Sequence, residues 1–185
     1  MSDTISSKVK RVYIEAAIKG TGALNNPTLM QEVKALYDPK QPKATYSKET
    51  FQRLVDLLRQ RLYPELSNDE ALFDFGRKVF KGYCTSSTMG SMMLPTLKFM
   101  SPVRLISLAK RLLEDAGLGQ CNVEQVTECK CLAHYHNFLF APHGVAGAAI
   151  EGLITSGAKK VRYHIEALTS LGAGLYNFDI VYEWN

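Results

Sequence analysis

The apolar residues of this chain change their spacing once, near Gly119, and this change limits the possible folds more than any other feature. Between residues 27 and 113 apolar side chains recur at the spacing of an amphipathic helix. From residue 123 to residue 138 they alternate as in a strand, and residues 159–184 alternate again. Helices followed by strands predict an α+β fold, with a helical layer packed on a small antiparallel sheet.

Four helices are predicted from their caps and apolar stripes. Ser67 and Glu70 form a capping box, in which each side chain satisfies a backbone amide of the other residue. The helix that they open is expected to run on to a kink or break at Pro95. The other three helices are expected over residues 27–37, 48–62 and 102–113.

The remaining elements are predicted as strands and one further helix. Residues 8–18 alternate and predict a strand. Residues 123–138 predict either one long strand or two strands joined by a tight turn near Cys129. Pro142 begins a glycine-rich helix, and residues 159–184 predict an antiparallel hairpin.

The length of 185 residues fits a single domain that buries a core without a disulfide or a metal. We expect one ligand-binding domain over residues 1–185, with a mainly helical part at 1–119 and a strand, helix, strand and strand part at 120–185. Neither a secretion signal nor a membrane-spanning stretch is predicted, so the expected location is the cytoplasm. The four cysteines form no C-x-x-C pair, which favours free thiols over a zinc site.

Sequence motifs argue against catalysis. The chain has no G-x-S-x-G, P-loop, G-x-G-x-x-G or H-E-x-x-H string, and we therefore expect a protein that is not an enzyme. The net charge is +4, with the positive excess in the N-terminal part, but the basic residues are dispersed. Nucleic acid is therefore not an expected partner.

Aromatic and methionine side chains concentrate between Phe75 and Met100. Methionine packs irregular space well, so these side chains suit either a ligand cavity or a protein core or dimer interface, and the pattern leaves both open. The candidate ligand-binding residues are Phe80, Tyr83, Cys84, Met89, Met92, Met93, Phe99, Phe138 and Phe140.

Three histidines are candidate ligands for a metal or a haem iron. His134 and His136 lie on one face of a predicted strand, and His143 lies in the first turn of the glycine-rich helix. Histidines on an exposed strand face are the commoner explanation of such a pattern. No metal site and no cofactor are therefore predicted, with haem kept as the alternative.

Residues 46–90 resemble an uncharacterised paralogous domain family that is expanded in myxobacteria and found in other predatory bacteria. The shared features are a Tyr-Ser entry to a helix, the turn L-Y-P-x-L-S-x-x-E-A-L, and the helix string G-R-x-x-F-x-G-Y. The order of the C-terminal elements, with the string at 147–152, is similar to four-vinyl-reductase domains, haem and nitric oxide binding domains and palmitate-holding TRAPP subunits. This resemblance implies binding of a hydrophobic ligand between helices and sheet, often in a dimer.

The resemblance carries few individual residues. The haem-binding relatives use a helix-borne histidine followed by Y-x-S-x-R, which this chain lacks, so His143 would be the substitute. The TRAPP-type relatives attach an acyl chain to a cysteine, and Cys84 lies at a loosely comparable place.

Our leading hypothesis is binding or sensing of a long-chain fatty acyl group or fatty acyl-coenzyme A, in a homodimer. An anionic head group would then meet Lys81, Arg104, Lys110 and Arg111. A haem, tetrapyrrole or gas sensor is the first alternative, and a dimeric interaction scaffold without a ligand is the second.

Overall fold

The computed structural model describes residues 8–185, in which seven α-helices pack against a four-stranded antiparallel sheet. The helices are α1 (Arg11–Gly20), α2 (Pro27–Lys34), α3 (Lys48–Leu62), α4 (Asn68–Ser86), α5 (Thr88–Leu97), α6 (Pro102–Asp115) and α7 (Pro142–Thr155). The strands of the main sheet are β3 (Gln120–Thr127), β4 (Lys130–Phe138), β5 (Arg162–Gly172) and β6 (Leu175–Glu183). Two short strands, β1 (Lys8–Lys10) and β2 (Thr45–Ser47), form a second sheet, and one 3-10 turn spans Ala23–Asn25. The predicted α+β class, with helices on a small antiparallel sheet in one domain, is confirmed.

The main sheet has the strand order β3-β4-β6-β5. On its inner face Ala133 pairs with Ile180 and Tyr135 pairs with Phe178, and all four are buried. Residues between them point outward, as expected for strands with one covered face. Of the two predictions for residues 123–138, the pair of strands is right, with the turn at residues 128–129. The predicted hairpin is β5 and β6.

The predicted strand over residues 8–18 is wrong beyond Lys10, because α1 begins at Arg11. Its buried residues include Tyr13, Ile14, Ala17 and Ile18, which is helical spacing. The pattern of charged and apolar residues after Lys8 is compatible with both a strand and a helix. The packing of this segment against α4 distinguishes the two.

The predicted break at Pro95 is also misplaced. Pro95 lies inside α5, and the chain breaks at Ser87. Ser87 ends α4, where its backbone N–H donates to the Tyr83 carbonyl, and caps α5, where its hydroxyl accepts from the Gly90 amide at 2.8 Å. A serine that can cap a new helix competes with helix continuation at that position.

The other predicted caps are confirmed. The Ser67 and Glu70 capping box opens α4, Ser47 caps α3, and Ser101 caps α6. Among residues 8–185 no helix combines the length and the apolar character needed to cross a membrane.

Helix α4 is the centre of the molecule, and glycines set its distance from two neighbours. A Cβ added at Gly76 would collide with the Gly144 carbonyl of α7, and one added at Gly147 would collide with the Phe73 carbonyl of α4. On the other side, a Cβ at Gly82 would collide with the Ala16 carbonyl of α1. These two glycine-lined contacts, which we call the α4 seams, bring backbones together more closely than any side chain allows.

Candidate functional site

A partly enclosed apolar cavity of about 100 Å³ lies between the helices and the sheet. Helix α6 supplies one wall with Leu105, Ala109 and Leu112, and the opposite side is formed by residues of α4 and α7. Tyr135 of β4 lines it from the sheet. The hollow therefore lies where ligand binding was predicted, between the helical layer and the strands.

The polar side-chain groups of the cavity lining are the hydroxyls of three tyrosines, two of which bond within the protein. The Tyr13 hydroxyl donates to the Leu112 carbonyl at 2.7 Å, and the hydroxyls of Tyr135 and Tyr182 lie 3.3 Å apart. Burial raises the pKa of Tyr13, Tyr83 and Tyr135 above that of an exposed phenol, so these groups stay neutral near neutral pH. The wall therefore offers a ligand shape and apolar contact, with almost no hydrogen bonding.

Aromatic side chains fix the shape of this wall. Tyr13 and Tyr83 stack with ring centroids 5.4 Å apart, which joins α1 to α4. The Phe140 ring meets Phe75 and Phe51 edge to face, with centroids 5.8 and 6.4 Å apart respectively. Such pairs prefer defined geometries, so this part of the wall is pre-formed.

Four of the nine predicted ligand-binding residues line the cavity, namely Phe80, Tyr83, Met93 and Phe140. The other five, Cys84, Met89, Met92, Phe99 and Phe138, do not. Met89, Met92 and Phe99 point to solvent from α5 and the turn after it. Phe138 is buried against Tyr135 and Phe178. A role in binding stays a prediction for all nine, with geometric support for the first four.

Cys84 is buried beside the start of α5 and does not line the cavity. Burial raises the pKa of its thiol to about 11. Because the thiolate is the reactive form, a thiol with this pKa is inert near neutral pH. This supports a packing role for Cys84 over acyl attachment.

None of the four predicted head-group residues lines the cavity. Lys81 pairs with the buried carboxylate of Glu151 at 3.1 Å, and Lys110 donates to the Asn122 side chain at 2.9 Å. Arg104 and Arg111 are exposed on α6. A head group bound by the arginines would lie outside the cavity.

The histidines are also outside it. His134 bonds to Asp179 at 2.9 Å on the outer face of the sheet. His143 lies between the Tyr163 hydroxyl at 3.1 Å and Asp69 at 3.3 Å. Over residues 8–185 no group of three or more histidine, cysteine or acidic side chains could hold a metal ion.

Several lining residues were missed from the sequence, above all Tyr13, Phe51, Tyr135 and the inner stripe of α6. Tyr13 was assigned to a strand, which hid its position beside Tyr83. The α6 stripe was visible in the helical spacing of Leu105, Leu108, Ala109 and Leu112. A stripe of this kind does not distinguish a helix that faces a hollow from one that faces a packed core.

Solved structures of H-NOX domains share this fold. One, from work on "heme distortion in the H-NOX family", is 11% identical, with 95% of each chain covered and a TM-score of 0.69. An oxygen-binding H-NOX domain related to soluble guanylate cyclases is 12% identical, with the same coverage and TM-score. An Fe(II) unliganded H-NOX protein from K. algicida is 14% identical, with 95% of this chain and 96% of that chain covered and a TM-score of 0.61.

Sequence comparison gives one family. Among curated proteins no significant match was found. A family model described as "Protein of unknown function (DUF2378)" matches residues 11–176, which include every α-helix of the structure and most of the main sheet. The chain belongs to the DUF2378 family.

Proposed function

We propose that this chain is a non-catalytic sensor domain that binds a small apolar molecule in the central cavity. One observation carries the proposal: the cavity wall is apolar, and the hydroxyls of two of its three tyrosines, Tyr13 and Tyr135, bond within the protein. Apolar cavities of roughly 150 Å³ stay dry and bind molecules such as benzene or xenon. The absence of a reactive thiol at Cys84 supports binding without chemistry.

The H-NOX structures favour the haem, tetrapyrrole or gas sensor hypothesis over the fatty acyl hypothesis, because haem is a feature of the H-NOX family and one of these domains binds oxygen. Likeness at 11% to 14% identity extends to the fold, so the ligand has to be judged from this chain's own residues.

The cavity does not fit a haem held through its iron by an imidazole. A haem iron needs an axial ligand such as histidine, thiolate, methionine sulfur or tyrosinate. No histidine or cysteine lines the cavity, and burial raises the pKa of Tyr13 and Tyr83, which opposes the tyrosinate form. Only the Met93 thioether remains as a neutral ligand.

The volume also favours a small ligand. Pockets for drug-sized ligands occupy roughly 300–1,000 Å³, several times the volume here. A fatty acyl chain or a tetrapyrrole therefore requires the cavity to enlarge. The walls that can yield are α5 and α6, because each buries only two residues, Gly90 and Leu97 in α5 and Leu105 and Ile106 in α6.

Probe binding tests the proposal. Xenon or benzene added to the wild-type protein should occupy the cavity and shift the NMR signals of methyl groups in Leu105 and Leu112. Ala149→Leu fills the space between α7 and α6 and should abolish those shifts, whereas Ala167→Leu, on the exposed part of β5, should not change them. Absence of probe binding in the wild type, together with no ligand in native mass spectrometry, would disprove the proposal.

The same preparation separates the ligand classes. Haem added to the apoprotein gives a Soret band shift if the iron is coordinated, and a Met93→Leu variant reports whether the thioether is the ligand. A long-chain fatty acid titrated in parallel tests the acyl hypothesis. Light scattering tests the predicted homodimer. The four free thiols are compatible with the predicted reducing, cytoplasmic location.

A further inference from the structure

Helix α5 and the turn after it expose large apolar side chains to solvent. The exposed fraction is 90% for Phe99, 73% for Met92 and 56% for Met89, and Leu94 is 38% exposed. We call these four residues the α5 patch. Single exposed apolar residues are ordinary, but four of this size on one short segment indicate an interaction surface.

The charged residues that flank the α5 patch along the chain are all basic. Residues 75–113 contain no aspartate or glutamate, and seven lysines and arginines. Three of the seven, Arg77, Lys78 and Lys81, pair with carboxylates of Glu151 or Asp74. Lys98, beside Phe99, and Arg104, on the first turn of α6, make no ion pair among residues 8–185. Along the chain, the apolar patch is therefore followed by two basic side chains without an ion-pair partner among residues 8–185.

From this geometry we propose that the α5 patch docks on the surface of an anionic lipid bilayer. Its apolar side chains enter the boundary between head groups and acyl chains, while Lys98 and Arg104 contact lipid phosphates. Apolar side chains flanked by lysine and arginine are the combination that binds such interfaces, with apolar burial and electrostatic attraction adding together. This goes beyond the proposed function, because docking does not depend on what the cavity binds.

A second copy of the chain is a poorer occupant of the patch. A two-fold contact through α5 would bring Lys98 and Arg104 of each copy near the same residues of the other, without an acidic residue from 75 to 113 to separate them. Like charges at an interface oppose association. Anionic lipid supplies the missing negative charge.

The inner face of the same helix gives docking a structural consequence. Met93 lines the cavity while Met92, its neighbour, is exposed. A bilayer that holds the outer face of α5 therefore acts on one wall of the cavity. If the proposed function also holds, the cavity opens towards the source of apolar molecules.

Vesicle sedimentation tests the docking proposal on the full chain. The wild-type protein should sediment with vesicles of equal parts phosphatidylcholine and phosphatidylglycerol, bind phosphatidylcholine vesicles far less, and be released by high salt. The double variant Met92→Ser, Phe99→Ser should lower the partition coefficient about tenfold or more. Lys98→Glu with Arg104→Glu should lower it to a similar degree on anionic vesicles.

Matched controls come from exposed residues elsewhere. Leu168→Ser with Leu171→Ser removes two exposed apolar side chains from β5, and Lys34→Glu with Lys40→Glu reverses two exposed charges near α2. Neither pair should change partitioning by more than about twofold, apart from the general effect of net charge. Circular dichroism checks that each variant is folded.

Two results would overturn the proposal. The first is a wild-type protein that stays in the supernatant with anionic vesicles, or patch variants that sediment as the wild type does. The second is a dimer, seen by light scattering, that Phe99→Ser dissociates while lipid binding is absent, which would assign the patch to a contact between copies.

Discussion

Helix α4 is closely packed along most of its length, whereas the helix that follows it, α5, is mostly exposed. Along most of its length α4 packs through the α4 seams, where glycines let α1 and α7 approach backbone to backbone. Beyond Ser87 the chain continues as α5, which buries only Gly90 and Leu97 and presents methionines to both solvent and cavity. One region is fixed by backbone contact and the other is held by a few flexible side chains.

This difference places the rigid part and the adaptable part of the domain in separate regions. Backbones in contact cannot shift without steric overlap, so the seams hold α1, α4 and α7 as a frame. Methionine has three rotatable bonds and repacks at small cost, so the α5 wall can change shape while the frame does not.

The largest effect is expected at a seam. Gly76→Ala places a methyl group against the Gly144 carbonyl, and neither backbone can yield, so we expect a loss of about 3 kcal/mol or more in the free energy of unfolding. Urea denaturation measures it. Gly152→Ala is the matched control on the cavity side of α7, where the nearest atom is the flexible Leu105 side chain. An equal loss in both variants would show that the seams are not special.

The next largest effect is expected for the buried carboxylate that joins α7 to α4 beside the same seam. Glu151 of α7 is 6% exposed and accepts from the Arg77 Nε at 2.8 Å, with Lys81 at 3.1 Å. Glu151→Gln removes both charge-assisted bonds and should cost about 1.5–2 kcal/mol, since both partners are partly exposed. Glu32→Gln, which breaks the exposed pair with Arg61, should cost less than about 0.5 kcal/mol by the same denaturation assay.

A smaller effect is expected from alkaline pH, through Cys84 at the junction of α4 and α5. Burial raises the pKa of its thiol from 9.0 to about 11, so the folded state favours the neutral form. Its contribution to stability is complete below pH 9 and is lost as pH rises from about 9 to about 11, on the order of 1 kcal/mol. Urea midpoints at a series of pH values, wild type against Cys84→Ala, isolate this loss. Identical pH dependence of the two proteins would mean that the α5 junction does not shield the thiol.

The smallest change in the free energy of unfolding is expected for a substitution in the turn after α5. Phe99→Ser removes a side chain that is 90% exposed, so the free energy of unfolding should change by less than about 0.5 kcal/mol. Leu97→Ala, two residues away and fully buried, should cost about 2–4 kcal/mol. A large loss for Phe99→Ser would show that the turn after α5 is packed more firmly than its exposure implies.

Local signals predicted most of the fold. Caps at Ser47, Ser67 and Ser101 are short-range hydrogen bonds, so the sequence carries them directly. Residues 11–18 and the break at Ser87 were misassigned, because alternation and helical spacing overlap in short segments and a mid-helix serine gives no sign of which way it will bond. Tertiary contacts decide both cases.

Only some of the residues that line the cavity could be predicted from the sequence, for a related reason. Methionines and aromatics marked the right region of the chain, but successive side chains of a helix are rotated by about 100° around its axis, so Met93 reaches the cavity and Met92 does not. The orientation of α5 depends on where α4 ends, and that was misplaced. Tyr13 and Tyr135 come from distant segments that only the folded chain brings together.

The paired hydroxyls of the cavity wall bear on discrimination between related molecules. Because the Tyr13 hydroxyl already donates to the Leu112 carbonyl, and the Tyr135 and Tyr182 hydroxyls bond to each other, a polar group that enters the cavity has to compete with these bonds. A buried hydroxyl group left unpaired costs about 1–3 kcal/mol, which corresponds to roughly tenfold to a hundredfold weaker binding. Under the proposed function, an apolar compound is therefore preferred over its hydroxylated analogue.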